Sequence, residues 1–268
     1  MIKGPSFFLT SKAHRRRQEV ALNEGLCLSC YEVSVKTVPG TEIIDMKDQT
    51  IVECRNLGFA YENGKDLFSE VNLKVPAGAF VQIQGASGTG KSTFLRLLNR
   101  LAIPSKGSIL FQGKDLQELE APELRTRIVY LQQTPTLIQG SVRHNLVLPF
   151  RFFQNKKRKA PEDEELRKGL QRFMLDEISL EQSAMDLSVG QRQRLCLLRA
   201  ILLSPDVLLL DEPTSALDKD SRQAVVDVVN KLHRDDNITM FLVAHTEFSV
   251  ESGKVIYCTL NSGKMEVQ

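Results

Sequence analysis

No stretch of the chain approaches the roughly 18 consecutive apolar residues that a helix needs to cross a bilayer. The apolar patch near its start, Phe7-Phe8-Leu9, is far too short for a secretion signal and runs into basic residues rather than a cleavage site. Neither sign of charge is in excess: 35 basic and 33 acidic residues leave a net charge of +2. That balance gives no reason to expect nucleic acid or an anionic membrane surface as the main partner. The five cysteines are few and odd in number, which points to reduced thiols and a cytosolic setting rather than a disulfide framework. Cys27 and Cys30 form one CxxC, but only His14 and the more distant Cys54 could complete a zinc site, so the pair reads as incidental thiols. Internal repeats and low-complexity tracts are also missing. What remains is 42% hydrophobic and 25% charged, an ordinary globular composition with enough apolar residues for a sizeable core.

Residues 1–45 lack sustained periodicity and carry the basic cluster His14-Arg15-Arg16-Arg17. They read as a loosely ordered N-terminal extension, or as sequence upstream of the true start, with a compact domain over 46–268. From Thr50 onward the pattern alternates. Residues 51–61 and 67–75 read as strands, 76–78 (Pro-Ala-Gly) as a turn, and 80–83 as a short strand leading into a glycine-rich loop. The spacing predicts a helix over 92–101. The brief apolar runs 207–210 and 240–243 suit central parallel strands covered on both faces. The charged run at 155–159, followed by Pro161-Glu162-Asp163-Glu164-Glu165, reads as a solvated helix start with acids in its first turn. A strand-rich beginning followed by β/α alternation implies an α/β domain, with a mostly helical part over about 140–205.

Gly85-Ala86-Ser87-Gly88-Thr89-Gly90-Lys91-Ser92, continued by Thr93, fits G-x-x-x-x-G-K-[ST] between a strand and a helix, the context this phosphate-binding loop requires. Its backbone N–H groups and the helix N-terminus would cradle the phosphates of ATP. Lys91 would reach the β- and γ-phosphates and the Ser92 hydroxyl would ligate Mg²⁺. The run 207–212 (VLLLDE) puts two carboxylates at the end of a buried strand, where open α/β sheets bind their ligands. There Asp211 would hold the metal, and Glu212 would polarise the attacking water. The stretch LSVGQRQRL (187–195) poses a further question, since it makes a second glycine-bearing helix start far from the only P-loop. Ser188 is a cap residue, and the helix that follows stops before Pro205. Gly190 leaves bare N–H groups open to an anion. With one P-loop already surrounding the nucleotide, this second surface points to the ATP of another molecule.

Taken in order, GASGTGKST, Gln133 in VYLQQ, LSVGQ, VLLLDEP, SALD (215–218) and His245 in VAHT resemble the nucleotide-binding subunit of an ATP-binding cassette (ABC) transporter, over about residues 50–268. The resemblance implies a P-loop NTPase of ABC type: a RecA-like mixed/parallel sheet core, an antiparallel β subdomain and a helical signature subdomain. It implies a head-to-tail homodimer in which Ser188, Gly190 and Gln191 of each copy cap the ATP on the other's P-loop. Tyr61 matches the aromatic that stacks on adenine. Gln133, rather than Gln132, matches the glutamine that senses Mg²⁺ and the lytic water, and His245 the histidine that contacts the γ-phosphate. Asp218 matches the aspartate that communicates across the dimer.

An integral membrane permease on a separate chain is implied, with this subunit cytoplasmic and peripheral on the inner face of the inner or plasma membrane, and no nucleic acid. The short sequence after His245 leaves no room for a regulatory domain. QQTPTLIQGSVRHNLVLPF is similar to small bacterial ATPases of metal (iron) export and to plant relatives tied to aluminium tolerance. A soluble, non-transport ABC ATPase of the iron–sulfur assembly type is the alternative. The one departure is Val189, where the family usually has glycine; with Ser188 and Gly190 kept, it implies tolerable crowding. Val189→Gly is therefore expected to change ATP turnover by less than about a hundredfold, ~2.7 kcal/mol of barrier, in a steady-state phosphate-release assay.

Overall fold

The computed structural model describes residues 49–61, 66–244, 248–251 and 253–268. The extension 1–45, the Cys27–Cys30 pair and His245 lie outside the described residues. β1 (Thr50–Ala60) and β2 (Asp66–Pro76) come first, then β3 (Phe80–Gln84), which runs into α1 (Lys91–Leu98). β4 (Lys106–Phe111), β5 (Lys114–Asp115), α2 (Ala121–Arg127) and β6 (Ile128–Leu131) follow. The next stretch is helical: α3 (Val142–Val147), the 3₁₀ turns Leu148–Arg151 and Phe153–Asn155, α4 (Asp163–Arg172) and α5 (Val189–Ile201). Then come β7 (Val207–Asp211), α6 (Lys219–Asp236), β8 (Thr239–Val243), β9 (Val255–Asn261) and β10 (Lys264–Val267).

Two sheets form among the described residues, an antiparallel one in the order β2-β1-β4-β5 and a second in the order β10-β9-β3-β8-β7-β6. In the second, β9, β3, β8, β7 and β6 all run parallel and only β10 is reversed. Successive side chains of a strand point to opposite faces, and this sheet buries both. Leu208, Leu210, Met240 and Leu242 face one core, shared with Leu195 and Leu198 of α5 and Val225 and Val229 of α6. Val207, Leu209, Phe241 and Val243 face the other, shared with α1 and the antiparallel strands. This explains why 207–210 and 240–243 are apolar throughout rather than alternating.

α1 stops at Leu98, three residues short of the expected end. Arg100 adopts a left-handed φ of 57°. Leu101 N–H donates to the Arg96 carbonyl at 2.8 Å, and Arg100 N–H to the Leu97 carbonyl at 3.2 Å. That pairing is a Schellman end, which usually places glycine at the left-handed position; an arginine there gave the sequence pattern no stop signal. α4 begins as its acids suggested, with Glu162 and Glu165 forming a reciprocal capping box.

Leu209 is fully buried on a central strand. Leu209→Ala is expected to destabilise the protein by about 2–5 kcal/mol through the cavity it opens, read as a lowered midpoint of chemical denaturation.

Candidate functional site

Because β3, β8, β7 and β6 are parallel neighbours, their carboxyl ends lie along one edge of the sheet. The P-loop follows β3, Asp211 and Glu212 end β7, and Gln132 and Gln133 follow β6. Gly85 opens the loop at a φ of 151°, and a Cβ there would lie 2.3 Å from the Leu260 carbonyl oxygen of β9. Any side chain would push the loop off the sheet. The Thr89 hydroxyl closes the loop by donating to the Ala86 carbonyl at 2.9 Å. Buried Lys91 donates to the carbonyls of Gly85 and Ala86, both at 2.9 Å. α1 starts from Gly90 with no side-chain cap and no acid in its first turn. Its first N–H groups and the positive end of its dipole are left for an anion.

Asp211 is 4% exposed. Its Oδ1 accepts from the Ser92 hydroxyl at 2.9 Å and its Oδ2 from the Tyr130 hydroxyl at 2.7 Å. Burial, and then the bond to Asp211, push the Tyr130 phenol up to about 12, with the Arg96 guanidinium pulling the other way. Glu212 has a left-handed φ of 47°, and its N–H donates to the Val243 carbonyl at 3.0 Å, pinning the end of β7 to that of β8. The two glutamines separate. Gln133 Nε2 donates to Glu212 Oε2 at 3.2 Å and to the Ser215 hydroxyl at 3.1 Å, whereas Gln132 donates to the Thr136 hydroxyl. Tyr61, just past β1, is 47% exposed, and its ring and that of Phe59 form a T-shaped pair at 5.7 Å.

The second helix start is built differently. Ser188 caps α5: its hydroxyl oxygen accepts from Gln191 N–H at 3.2 Å, while Gln191 Oε1 accepts from Ser188 N–H at 2.8 Å. Gln191 Nε2 also donates to Glu177 at 3.2 Å. Val189 is 48% exposed, so about half of it reaches solvent within a single chain. Gly190 is buried, and a Cβ there would sit 2.5 Å from Ser221 Oγ and 2.6 Å from Ser221 Cβ. Its smallness is thus demanded by packing inside the chain as well as by any anion. Asp218 caps α6, accepting from the N–H groups of Asp220 at 3.1 Å and Ser221 at 2.9 Å. The Ser221 amide holds that carboxyl below its ordinary range.

A family model described as ABC transporter matches residues 68–215, from β2 through the P-loop, Gln133 and the signature stretch to Ser215. The chain belongs to the ABC transporter family. This ABC ATPase is 37% identical over 204 residues to ABC transporter I family member 17 of Arabidopsis thaliana, covering 76% of each chain. It is 32% identical over 221 residues to the probable iron export ATP-binding protein FetA of Escherichia coli (strain K12), covering 82% of this chain and 96% of that one. Among solved structures, cbiO1 from Clostridium perfringens, part of the ABC transporter complex cbiONQ, matches with a TM-score of 0.70, covering 82% of this chain and 88% of that one. At 24% identity that likeness speaks for the fold, the ABC ATPase fold. The chain binds ATP, and its activity is ATP hydrolysis coupled to transport, as the ATP-binding subunit of a transporter.

Tyr130, Ser215 and Ser221 match no sequence motif role, yet the fold brings the side chain of each to a site residue: Asp211, Gln133 and Gly190 in turn. The only hint of the first was a hydroxyl-bearing aromatic in the otherwise aliphatic strand IVYL. Ser215 lay within SALD, unread. Gly190→Ala is expected to cut turnover at least about tenfold, ~1.4 kcal/mol, and Ser221→Gly in the same chain to restore most of it. A double variant as slow as Gly190→Ala alone would assign the glycine to the nucleotide and not to Ser221.

Proposed function

We propose that two copies of this ATPase pack head to tail around two ATP molecules and drive a metal (iron) exporter. The permease is an integral membrane protein on a separate chain, and the ATPase sits peripherally at the cytoplasmic face of the inner or plasma membrane. The observation that carries the paired arrangement is the exposed, self-capped start of α5. Ser188 and Val189 face solvent, and the side-chain bonds of Ser188 and Gln191 run to each other and to Glu177. The capping box takes up the amides of Ser188 and Gln191, and the other first-turn amides of this helix N-terminus form an anion surface. Iron export rests on the similarity to FetA, which spans nearly that whole relative. The ATPase domain begins at about Met46, with 1–45 as an extension and 140–205 as the helical subdomain.

The donors at the strand edge suit Mg²⁺. Asp211 is a single buried carboxylate beside the Ser92 hydroxyl, with the Gln133 amide nearby. Mg²⁺ takes one or two carboxylates together with phosphates and waters rather than an all-protein cage. Consistent with that, no cluster of three His, Cys, Asp or Glu side chains occurs among the described residues. Bound there, Mg²⁺ supplies charge neutralisation on the transferred phosphoryl group.

The chain's own residues do the rest. Hydrolysis transfers the γ-phosphoryl group to water, so catalysis is positioning and charge offset. Glu212 orients and polarises the attacking water, and Gln133, bonded to it, reports whether that water and the γ-phosphate are in place. Lys91 and the bare start of α1 draw charge on the P-loop side. Ser188 and Gly190 of the partner draw it on the other, and His245 adds a contact to the γ-phosphate. Tyr61 fixes the adenine. Cleavage removes the γ-phosphate bridge and the pair loosens, a ligand-biased switch between two states.

Glu212→Gln is expected to bind ATP, hydrolyse it at least about a hundredfold more slowly, and elute from gel filtration as a dimer with ATP present. A variant eluting as a monomer with ATP bound would overturn the paired arrangement.

A further inference from the structure

Asp211 holds two hydroxyl donors, and only one of them belongs to the P-loop. Tyr130 stands on β6 opposite Leu209 of β7 in a parallel register. Paired residues on neighbouring strands share a face, as do residues two apart on one strand, so Tyr130, Leu209 and Asp211 lie on the same side of the sheet. The offset from Leu209 to Asp211 is about 6.6 Å along the strand, a span that a phenol ring covers. The hydroxyl at its tip meets Oδ2 at 2.7 Å. An ionised carboxylate only accepts hydrogen bonds, so both bonds to Asp211 use hydroxyl protons, one on each oxygen. Fixing both oxygens fixes the plane of the carboxylate.

We propose that Tyr130 is a positioning residue that aims the Asp211 carboxylate at the nucleotide-bound Mg²⁺. This rests on the reading of Ser92 and Asp211 as the metal-facing pair. Ser92 is itself a ligand in that reading. Tyr130 is the donor left to hold the carboxylate plane, the outer-shell role by which hydrogen-bonding partners tune a metal site. Its ring packs against the core on the α1 side, so Tyr130→Phe keeps the shape and removes only the hydroxyl.

The test is equilibrium binding of a fluorescent ATP analogue to the full chain, with Mg²⁺ titrated in and with EDTA as the metal-free arm. Tyr130→Phe is expected to raise the half-saturating Mg²⁺ concentration about tenfold, while affinity in EDTA stays within about twofold of wild type. Equal losses in both arms would mean that the hydroxyl only supports packing, and the proposal would fall. It would fall as well if the variant's Mg²⁺ dependence matched that of wild type, with the metal reading itself left standing. Wild-type binding indifferent to Mg²⁺ would remove the metal reading and the proposal together. A double-variant comparison with Asp211→Asn in the same titration gives a second measurement. If Tyr130 acts through Asp211, adding Tyr130→Phe to that variant changes nothing further in the Mg²⁺ titration; an additional loss would show that Tyr130 acts elsewhere.

Discussion

A carboxylate buried as deeply as Asp211 costs several kcal/mol to desolvate unless its oxygens are engaged. The fold meets that demand from two directions, with Ser92 from the start of α1 and Tyr130 from β6. Those contacts bridge 119 and 81 residues of sequence, so this one group ties the P-loop helix, β6 and β7 together at the sheet edge. A register slip of β7 by a single residue would turn Asp211 into the opposite core and put Leu210 at the hydroxyls. The chemistry therefore depends on strand register, and the register depends on the two apolar cores that claim alternate residues of β7 and β8.

The two helix starts show how one local structure serves different ends. α1 leaves its first amides bare beside a glycine cap, whereas α5 takes up two of its own, those of Ser188 and Gln191, in a capping box. A bare start attracts phosphate strongly but is a poor stand-alone terminus; here it follows β3 through the P-loop and is tied to β7 by the Ser92–Asp211 bond. A self-capped start is stable by itself and can stand exposed. The close seat of Gly190 on Ser221 then couples the beginning of α5 to that of α6, whose own cap is Asp218.

Much of this was legible because it is written in short-range pattern. The P-loop has fixed spacing, Ser188 sits three residues before Gln191, and 207–211 and 240–243 are apolar on both faces. The α1 terminus was missed because Arg100 takes a conformation that sequence associates with glycine. The Tyr130–Asp211 bond and the Gly190–Ser221 contact were missed for another reason: each joins residues far apart along the chain, and neither leaves a periodic trace. Gln133 and Gln132 are indistinguishable by type. The preference for Gln133 came from the resemblance, and its neighbours in space are Glu212 and Ser215.

The backbone at Glu212 bears on how changes there are understood. With φ at 47° in the left-handed region, a β-branched replacement would be strained in the main chain before any loss of the carboxyl was felt. Valine or threonine at this position would disturb the bond to Val243 and, with it, the seam between two central strands. Only unbranched or short polar substitutes separate the acid's chemistry from the geometry of the hinge that carries it.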